Sequence, residues 1–432
     1  MTTNDDFSVR LGDWLREDSV GRVPAHLDAV LVRTAATRQR PWWSSPGRFL
    51  PMNVAATRLW AVRPVSLRTV LLLGLVALVI AALVGVLVGS RRPLPPPFGV
   101  ARNGALLSSA NGDLFTVDPK TGIGRPLITG PTFDFGPLFS RDGTRFAFLR
   151  GAPSPCGKSD CGLILVVANA DGTGVREITP GEPGLDWLDW SPDGTRIAFL
   201  SFVDGTTGHV LNIVSVDGAG LITLDLGRPV NQLSWLPPDG AEIVFRGEQW
   251  NASNPPPAIY AVRPDGTGLR PISTRPALGD QDFNDVAVSP DGRLVAYRAV
   301  APDEPFRVHV LDLQTGVDRQ LTSAPGSTGE GGPGFSPDGR TIVYLRWFED
   351  ASTQLVVAPV DGPGHGIAIG PHGPIGSDGP TINNYGFSPD GRFVFANYDA
   401  EKVGRLLPVD GTPGVVVARG DLAFAGFQRL AP

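Results

Sequence analysis

One phrase constrains this chain more than any other. Residues 190–201 read WSPDGTRIAFLS, and near copies begin at Phe139, Trp235, Val288, Phe335 and Phe387. Ser191 suits the first corner of a type I β-turn, Pro192 fixes φ at the second, and Asp193 takes the third. Gly194 then supplies the left-handed residue that follows. Such a turn joins two antiparallel strands. Before it, LDWLDW sets apolar residues at alternate places; after it, RIAFLS is rich in strand formers. Each copy is therefore a β-hairpin, most often with an aromatic residue where strand meets turn.

A second phrase alternates with the first. It runs LFTVDPKTG, LVVANADGTG, LNIVSVDGAG, IYAVRPDGTG, VHVLDLQTG, LVVAPVDGPG and LLPVDGTPG. This is a third strand and a Gly-rich turn into a fourth. The period of roughly 40 to 53 residues suits a four-stranded propeller blade. A blade cannot bury its faces alone, and stacking blades round an axis buries them. Six units are complete. The segments GALLSSA and DLFTVD enter without a hairpin aromatic, and LAFAGFQRL leaves without a following strand. Joined, these halves make one more blade and close the ring. The expectation is an all-β fold: a seven-bladed β-propeller closed by its N- and C-terminal strands.

The SPDG…IAF and VDGTG phrases resemble the WD40-like repeats of TolB-type periplasmic proteins. The resemblance covers about residues 100 to 430 and rests on six hairpin copies and seven copies of the second phrase. It implies a propeller. TolB-type rings are usually six-bladed, so six blades stand as the alternative count. It says little about function, because propellers host many unrelated activities.

Residues 69–89, TVLLLGLVALVIAALVGVLVG, carry no charge. At 1.5 Å rise per residue they reach roughly 30 Å, enough to cross a bilayer as a helix. The run lies deep in the chain and is followed by SRRP, unlike a cleaved signal peptide. Residues 33–68 hold seven arginines and no acid, which places the N-terminus in the cytoplasm and the propeller outside. The expected organisation is a cytoplasmic Arg-rich helical segment at 1–64, a transmembrane helix at 65–90, a Pro-rich linker at 91–100 and an exported propeller at 101–432. The formal net charge is −6, and the acidic excess falls in the exported part, which argues against nucleic-acid binding.

Phe7, Leu11, Trp14 and Leu15 share one helical face; Pro24 opens a second short helix with Leu27, Val30 and Leu31 on its apolar side. Such an arm anchors at the membrane surface or docks a cytoplasmic regulatory partner. The two cysteines, Cys156 and Cys161, lie in CGKSDC on the expected outer side, where they read as a small structural disulfide pinning a loop. A zinc site would need further ligands, and no histidine is near in sequence.

In a blade the first-to-second and third-to-fourth turns share one face of the disc. Here those are the short SPDG and DGTG turns. The opposite face carries long, varied loops such as GAPSPCGKSDCG, RGEQWNASNPPPA, RWFEDAST and SAPGSTGEGGPG, and variable loops on a rigid scaffold are where binding sits. Trp250, Trp347, Phe348, Glu349, Asp350 and Tyr398 fall there, aromatics beside acids that suit a sugar or a peptide. Asp186, Asn231, Asn284 and Asn383 each stand four residues before the hairpin aromatic or its equivalent. Even spacing along a strand would put them on one side with Trp190, Trp235, Val288 and Phe387, as a polar ring near the channel mouth.

The five histidines, His26, His209, His309, His365 and His372, show no catalytic spacing, and no GxSxG, HExxH, phosphate loop or dinucleotide fingerprint is present. The sequence therefore reads as non-enzymatic, with no cofactor: a single-pass envelope protein whose propeller binds protein or glycan and links that binding to the cytoplasmic arm. The alternative is an envelope hydrolase or lyase working in the propeller funnel.

Overall fold

The computed structural model describes residues 98–151, 162–181, 184–202, 208–248, 257–273, 275–277, 286–300, 304–350, 352–362, 366–373, 382–398, 401–420 and 423–431. The expected cytoplasmic segment, transmembrane helix and most of the linker, with Cys156, Cys161, Trp250 and Asn284, lie outside the described residues. Among the described residues no helix is long and apolar enough to cross a membrane.

The repeated turn forms as its residues dictate. The Ser191 hydroxyl donates to Asp193 Oδ1 at 2.6 Å, Thr195 N donates to Asp193 Oδ1 at 3.0 Å, and Arg196 N donates to Ser191 Oγ at 2.9 Å. Gly194, at φ +66°, supplies the left-handed step. The same serine–aspartate pair recurs at Ser140, Ser289, Ser336 and Ser388. Serine and aspartate are thus spent on closing hairpins.

Strands are numbered β1 to β28 in chain order and fall into seven four-stranded sheets. Six sheets take four consecutive strands each. They begin at β4 (Phe133–Phe139), β8 (Asp186–Trp190), β12 (Val230–Trp235), β16 (Val286–Val288), β20 (Ser327–Phe335) and β24 (Ile382–Phe387). The remaining sheet has the order β28-β1-β2-β3, from β28 (Ala423–Leu430), β1 (Arg102–Ala110), β2 (Asp113–Val117) and β3 (Gly124–Ile128). Antiparallel pairing of Arg102 with Leu430 and of Leu106 with Phe427 joins the two ends. The ring has seven blades, not the six of the alternative count.

The lead strand of each sheet meets the lead strand of the next around the axis. Aromatic donors tie them together: Trp190 Nε1 donates to Leu138 O at 3.1 Å, and Tyr385 Oη donates to Gly332 O at 2.6 Å. The apolar core lies between blades. One cluster joins Ala198, Leu211 and Ile213 of one sheet to Trp235, Ile243 and Phe245 of the next. Another joins Val244 and Ile259 to Val295 and Tyr297. This is why no blade is stable alone.

Two local readings of the sequence are corrected. SAPGSTGEGGPG is largely strand: residues 327–335 form β20, a lead strand. Its glycines make room, because a Cβ at Gly331 would stand 2.5 Å from Arg298 Cδ and 3.0 Å from Trp347. Secondly, a one-residue bulge sits in each of the lead strands β4, β8, β12 and β24, and two sit in β20. Asp186 pairs with Leu200 while Trp190 pairs with Ile197, so five residues on one strand oppose four on the other. Asn231 and Asn383 repeat the offset. A bulge reverses the alternation, so even spacing does not place these residues on the side of the hairpin aromatic.

Candidate functional site

Among the described residues, polar groups from two adjacent blades converge at the long-loop end of the channel. Asp186 opens β8 and is exposed, and Asn231 lies near the start of β12. Arg246 comes near the end of β13 (Ile243–Gly247), and Glu248 follows it. Asn231 Nδ2 donates to Glu248 Oε1 at 3.0 Å, and Arg246 Nη2 meets the same oxygen at 2.8 Å. Arg246 is buried, with its side chain 1% exposed, whereas Glu248 is 28% exposed and reaches solvent. Beside them the Arg228 guanidinium lies 4.0 Å from the Tyr260 ring centroid. Gly247 allows this, since a Cβ there would stand 2.7 Å from Tyr260 and 2.8 Å from Arg228.

His209 opens β10 (His209–Ser215) beneath this cluster and is 5% exposed. Its ring stacks on Phe202 with centroids 4.1 Å apart. Neither ring nitrogen meets hydrogen-bond geometry with a described residue. Burial pushes its pKa down, outweighing the Asp186 charge and the Asn231 amide, which both pull it up. The imidazole is therefore neutral at neutral pH. Asp186 and Asn231 both act on it, so they belong to one site.

The backbone is strained here. Trp187 and Gln232, the residues after Asp186 and Asn231, adopt φ +40° and +46°, values that non-glycine residues seldom hold.

A second cluster lies two blades on. Arg298 packs between the Phe306 ring at 4.7 Å and the Trp347 ring at 5.8 Å. The fully buried Glu330 receives Arg346 Nε at 2.9 Å and Arg307 Nη1 at 3.5 Å. The pairing of acid with arginine repeats at Asp134, which takes Arg150 through two bonds of 2.8 and 2.9 Å.

The remaining expected residues scatter. Trp347 is half-buried in the second cluster. Glu349 is exposed, and Asp350 is a turn residue accepting Ser352 N at 3.0 Å and Ser352 Oγ at 2.6 Å. Tyr398, expected on the loop face, is a core residue 1% exposed in β25 (Phe393–Tyr398), with Arg405 over its ring. Asn383 lies on β24 opposite Asn397, and its side chain is outside the description, as are Asn284 and Trp250. Among the described residues no three His, Cys, Asp or Glu side chains gather to hold a metal ion. Sequence reading missed His209, Arg246 and Glu248. Their signal was an arginine ending an apolar second strand, as in FAFLRG, IVFRG, VAYRA and IVYLRW.

No family model matches the chain. By sequence it is 30% identical over 135 residues to the protein TolB homolog of Chlorobium luteolum, covering 30% of this chain and 27% of that one. The chain is a TolB-like β-propeller. This TolB-like chain is also 26% identical over 230 residues to dipeptidyl-peptidase 5 of Porphyromonas endodontalis, covering 42% of it and 32% of the relative. The chain spans about a third or less of the length of these two relatives. Among solved structures it is similar to an oligogalacturonate lyase in complex with manganese. That match has a TM-score of 0.51 and 17% identity, over 73% of this chain and 91% of that one. These likenesses correct the expectation of a non-enzymatic TolB-like chain, since a peptidase and a lyase stand among the proteins it matches.

Proposed function

We propose that this chain is a membrane-anchored envelope enzyme of the lyase or hydrolase class whose propeller engages a glycan at the long-loop mouth. One observation carries the reading: Asp186, Asn231, Glu248 and Arg246 converge there from two blades, over a neutral buried His209. The formal charges of Asp186, Glu248, Arg228 and Arg246 cancel, while donors and acceptors stand side by side. Such a surface matches hydroxyl groups, and its two carboxylates supply proton acceptors. The positive φ at Trp187 and Gln232 is the strain that working sites store. A saccharide is the first substrate class to test, because the lyase match spans 91% of that chain and the peptidase match 32%. The anchor rests on the uncharged run 69–89, and the outward face on the arginines of 33–68.

The test uses the full-length protein in detergent micelles, incubated with oligogalacturonates and with neutral oligosaccharides, with products read by mass spectrometry. Cleavage is expected, with kcat/KM falling about a hundredfold or more in Glu248→Gln or Asp186→Asn. No product from any saccharide, or full turnover in both variants, overturns the reading. Cleavage of a dipeptidyl substrate alone moves the chain to the peptidase class.

A further inference from the structure

The face round the opposite mouth carries the short turns, and one position on it repeats. Eleven large hydrophobic side chains are exposed among the described residues, and seven of them hold the same place, one per blade. Ile123, Val175, Leu221, Leu269, Val317, Ile367 and Val415 each follow a glycine that ends the third-to-fourth turn. Each stands at the first residue of the fourth, outermost strand or one before it. Those strands are β3, β7 (Arg176–Glu177), β11 (Ile222–Leu224), β15 (Arg270–Pro271), β19 (Asp318–Gln320), β23 (Ile367–Gly373) and β27 (Val415–Arg419). The seven are 38% to 61% exposed. Isolated exposed aliphatics are ordinary, but one at a fixed register of every blade makes a ring at nearly one level.

Val216 N donates to Thr195 O at 3.0 Å and Val409 N donates to Arg392 O at 3.1 Å, so third-to-fourth turns lie beside hairpin turns on this face. The chain enters the ring here as well. Ala101 N donates to Pro389 O at 2.8 Å, and Asp390 N donates to Asn103 Oδ1 at 3.0 Å. Pro389 and Asp390 belong to the hairpin turn between β24 and β25. Val100, just before this point, is also exposed. Eight residues, SRRPLPPP, separate the uncharged run 69–89 from Phe98. Drawn out as a polyproline helix they span about 25 Å.

We propose that this ring of aliphatic side chains docks on a zwitterionic bilayer surface and seats the propeller with its polar cluster turned away from the lipid. Such docking presupposes the membrane anchor proposed above. The short tether keeps this face, not the opposite one, beside the bilayer. Seven like side chains at one level match a flat, uniform surface, whereas a folded partner presents a different neighbour to each blade. Exposed Arg125 and Arg176 follow Ile123 and Val175, and exposed Asp171, Asp217, Asp265 and Asp410 stand on the turns. Both signs of charge therefore meet headgroups that carry both.

Full-length protein is reconstituted in phosphatidylcholine vesicles. A nitrobenzoxadiazole probe is attached at Ile123→Cys, Leu269→Cys or Val415→Cys, and at Glu349→Cys on the long-loop face, with the unsubstituted protein as background. Nitroxide-labelled lipid is the quencher. The ring probes are expected to lose about half or more of their emission, and the probe at position 349 almost none. Ile123→Ser, Val317→Ser and Val415→Ser together are expected to cut quenching of the probe at position 269 about twofold or more. Carbonate washing scores the anchor separately. Protein that stays with the vesicles while its ring probes remain unquenched keeps the anchor and overturns the docking. Protein that washes off overturns the anchor, and the docking with it. Ring probes shielded from aqueous iodide but unquenched by lipid mean that protein covers the ring, which also overturns the docking. Failure of saccharide turnover leaves it standing, since that site lies on the opposite face.

Discussion

Trp235 Nε1 donates to Asp189 O at 3.2 Å, and Asp189 Oδ2 accepts Trp235 N at 2.9 Å, so each residue holds the other across the blade boundary. Trp235 is 1% exposed and packs in the core between its own blade and the preceding one. The hairpin aromatic therefore both fills the core and staples neighbouring blades. Trp235→Phe keeps most of the packing and loses one hydrogen bond, an expected cost of about 1 kcal/mol. Trp235→Ala also opens a cavity and costs about 3–5 kcal/mol. Chemical denaturation midpoints measure both.

Asp189→Ala removes the acceptor for Trp235 N and the partner of Arg141 together. One of these groups is buried backbone; the other reaches water and is screened. The expected loss is about 2 kcal/mol, read from the same midpoints.

Acid weakens the fold through the hairpin turns. Burial by itself would raise the carboxyls of Asp142, Asp193 and Asp338. The bonds from serine hydroxyls and backbone N–H groups outweigh it and hold all three below the ordinary 3.8. Asp312, bonded first to Arg293, is held at about 2. Folded pKa values below the unfolded ones give stability that is full above 3.8 and lost as pH falls through the folded values. Tm is expected to drop steeply below about pH 4.

His209 adds an earlier step. Its folded pKa lies below the ordinary 6.5, chiefly through burial, so the unfolded chain takes up a proton first. Stability is full above 6.5 and declines as pH falls from there toward the folded value. His209→Gln should remove that first decline and leave the acid limb. Denaturation midpoints from pH 8 to pH 5 decide it.

Gly143→Ala strikes the seam. The left-handed φ alone costs about 1 kcal/mol for a side chain, and the new Cβ also meets the Arg429 carbonyl, backbone that cannot swing aside. A loss well above that of an alanine at Gly220 is expected. Gly220 shares a positive φ, at +63°, with open space around it. Comparing the two variants isolates the contact from the strain.

Much of this was legible in the residues. SPDG and DGTG specify turns by local chemistry, and their repetition counts blades, so the closed seven-bladed ring followed from the two half-blades at the ends. The bulges were not legible. Trp187, Gln232 and Asn384 carry positive φ that no local preference requests, so counting by twos misplaced Asp186, Asn231 and Asn383. Strand β20 hid for a related reason: GEGGPG has no apolar alternation, because its glycines leave volume for Arg298 and Trp347 from neighbouring strands. Tyr398 was misjudged because alternation shows which residues share a face, not whether a neighbouring blade covers it. His209, Arg246 and Glu248 meet only after two blades are set side by side.

Closure of the ring is the claim on which both mouths depend, and amide hydrogen exchange across 102–110 and 423–430 tests it most directly. Protection of both strands equal to that of β12 and β20, lost only with global unfolding, is the expected result. Fast exchange of 423–430 while the other lead strands stay protected would contradict it.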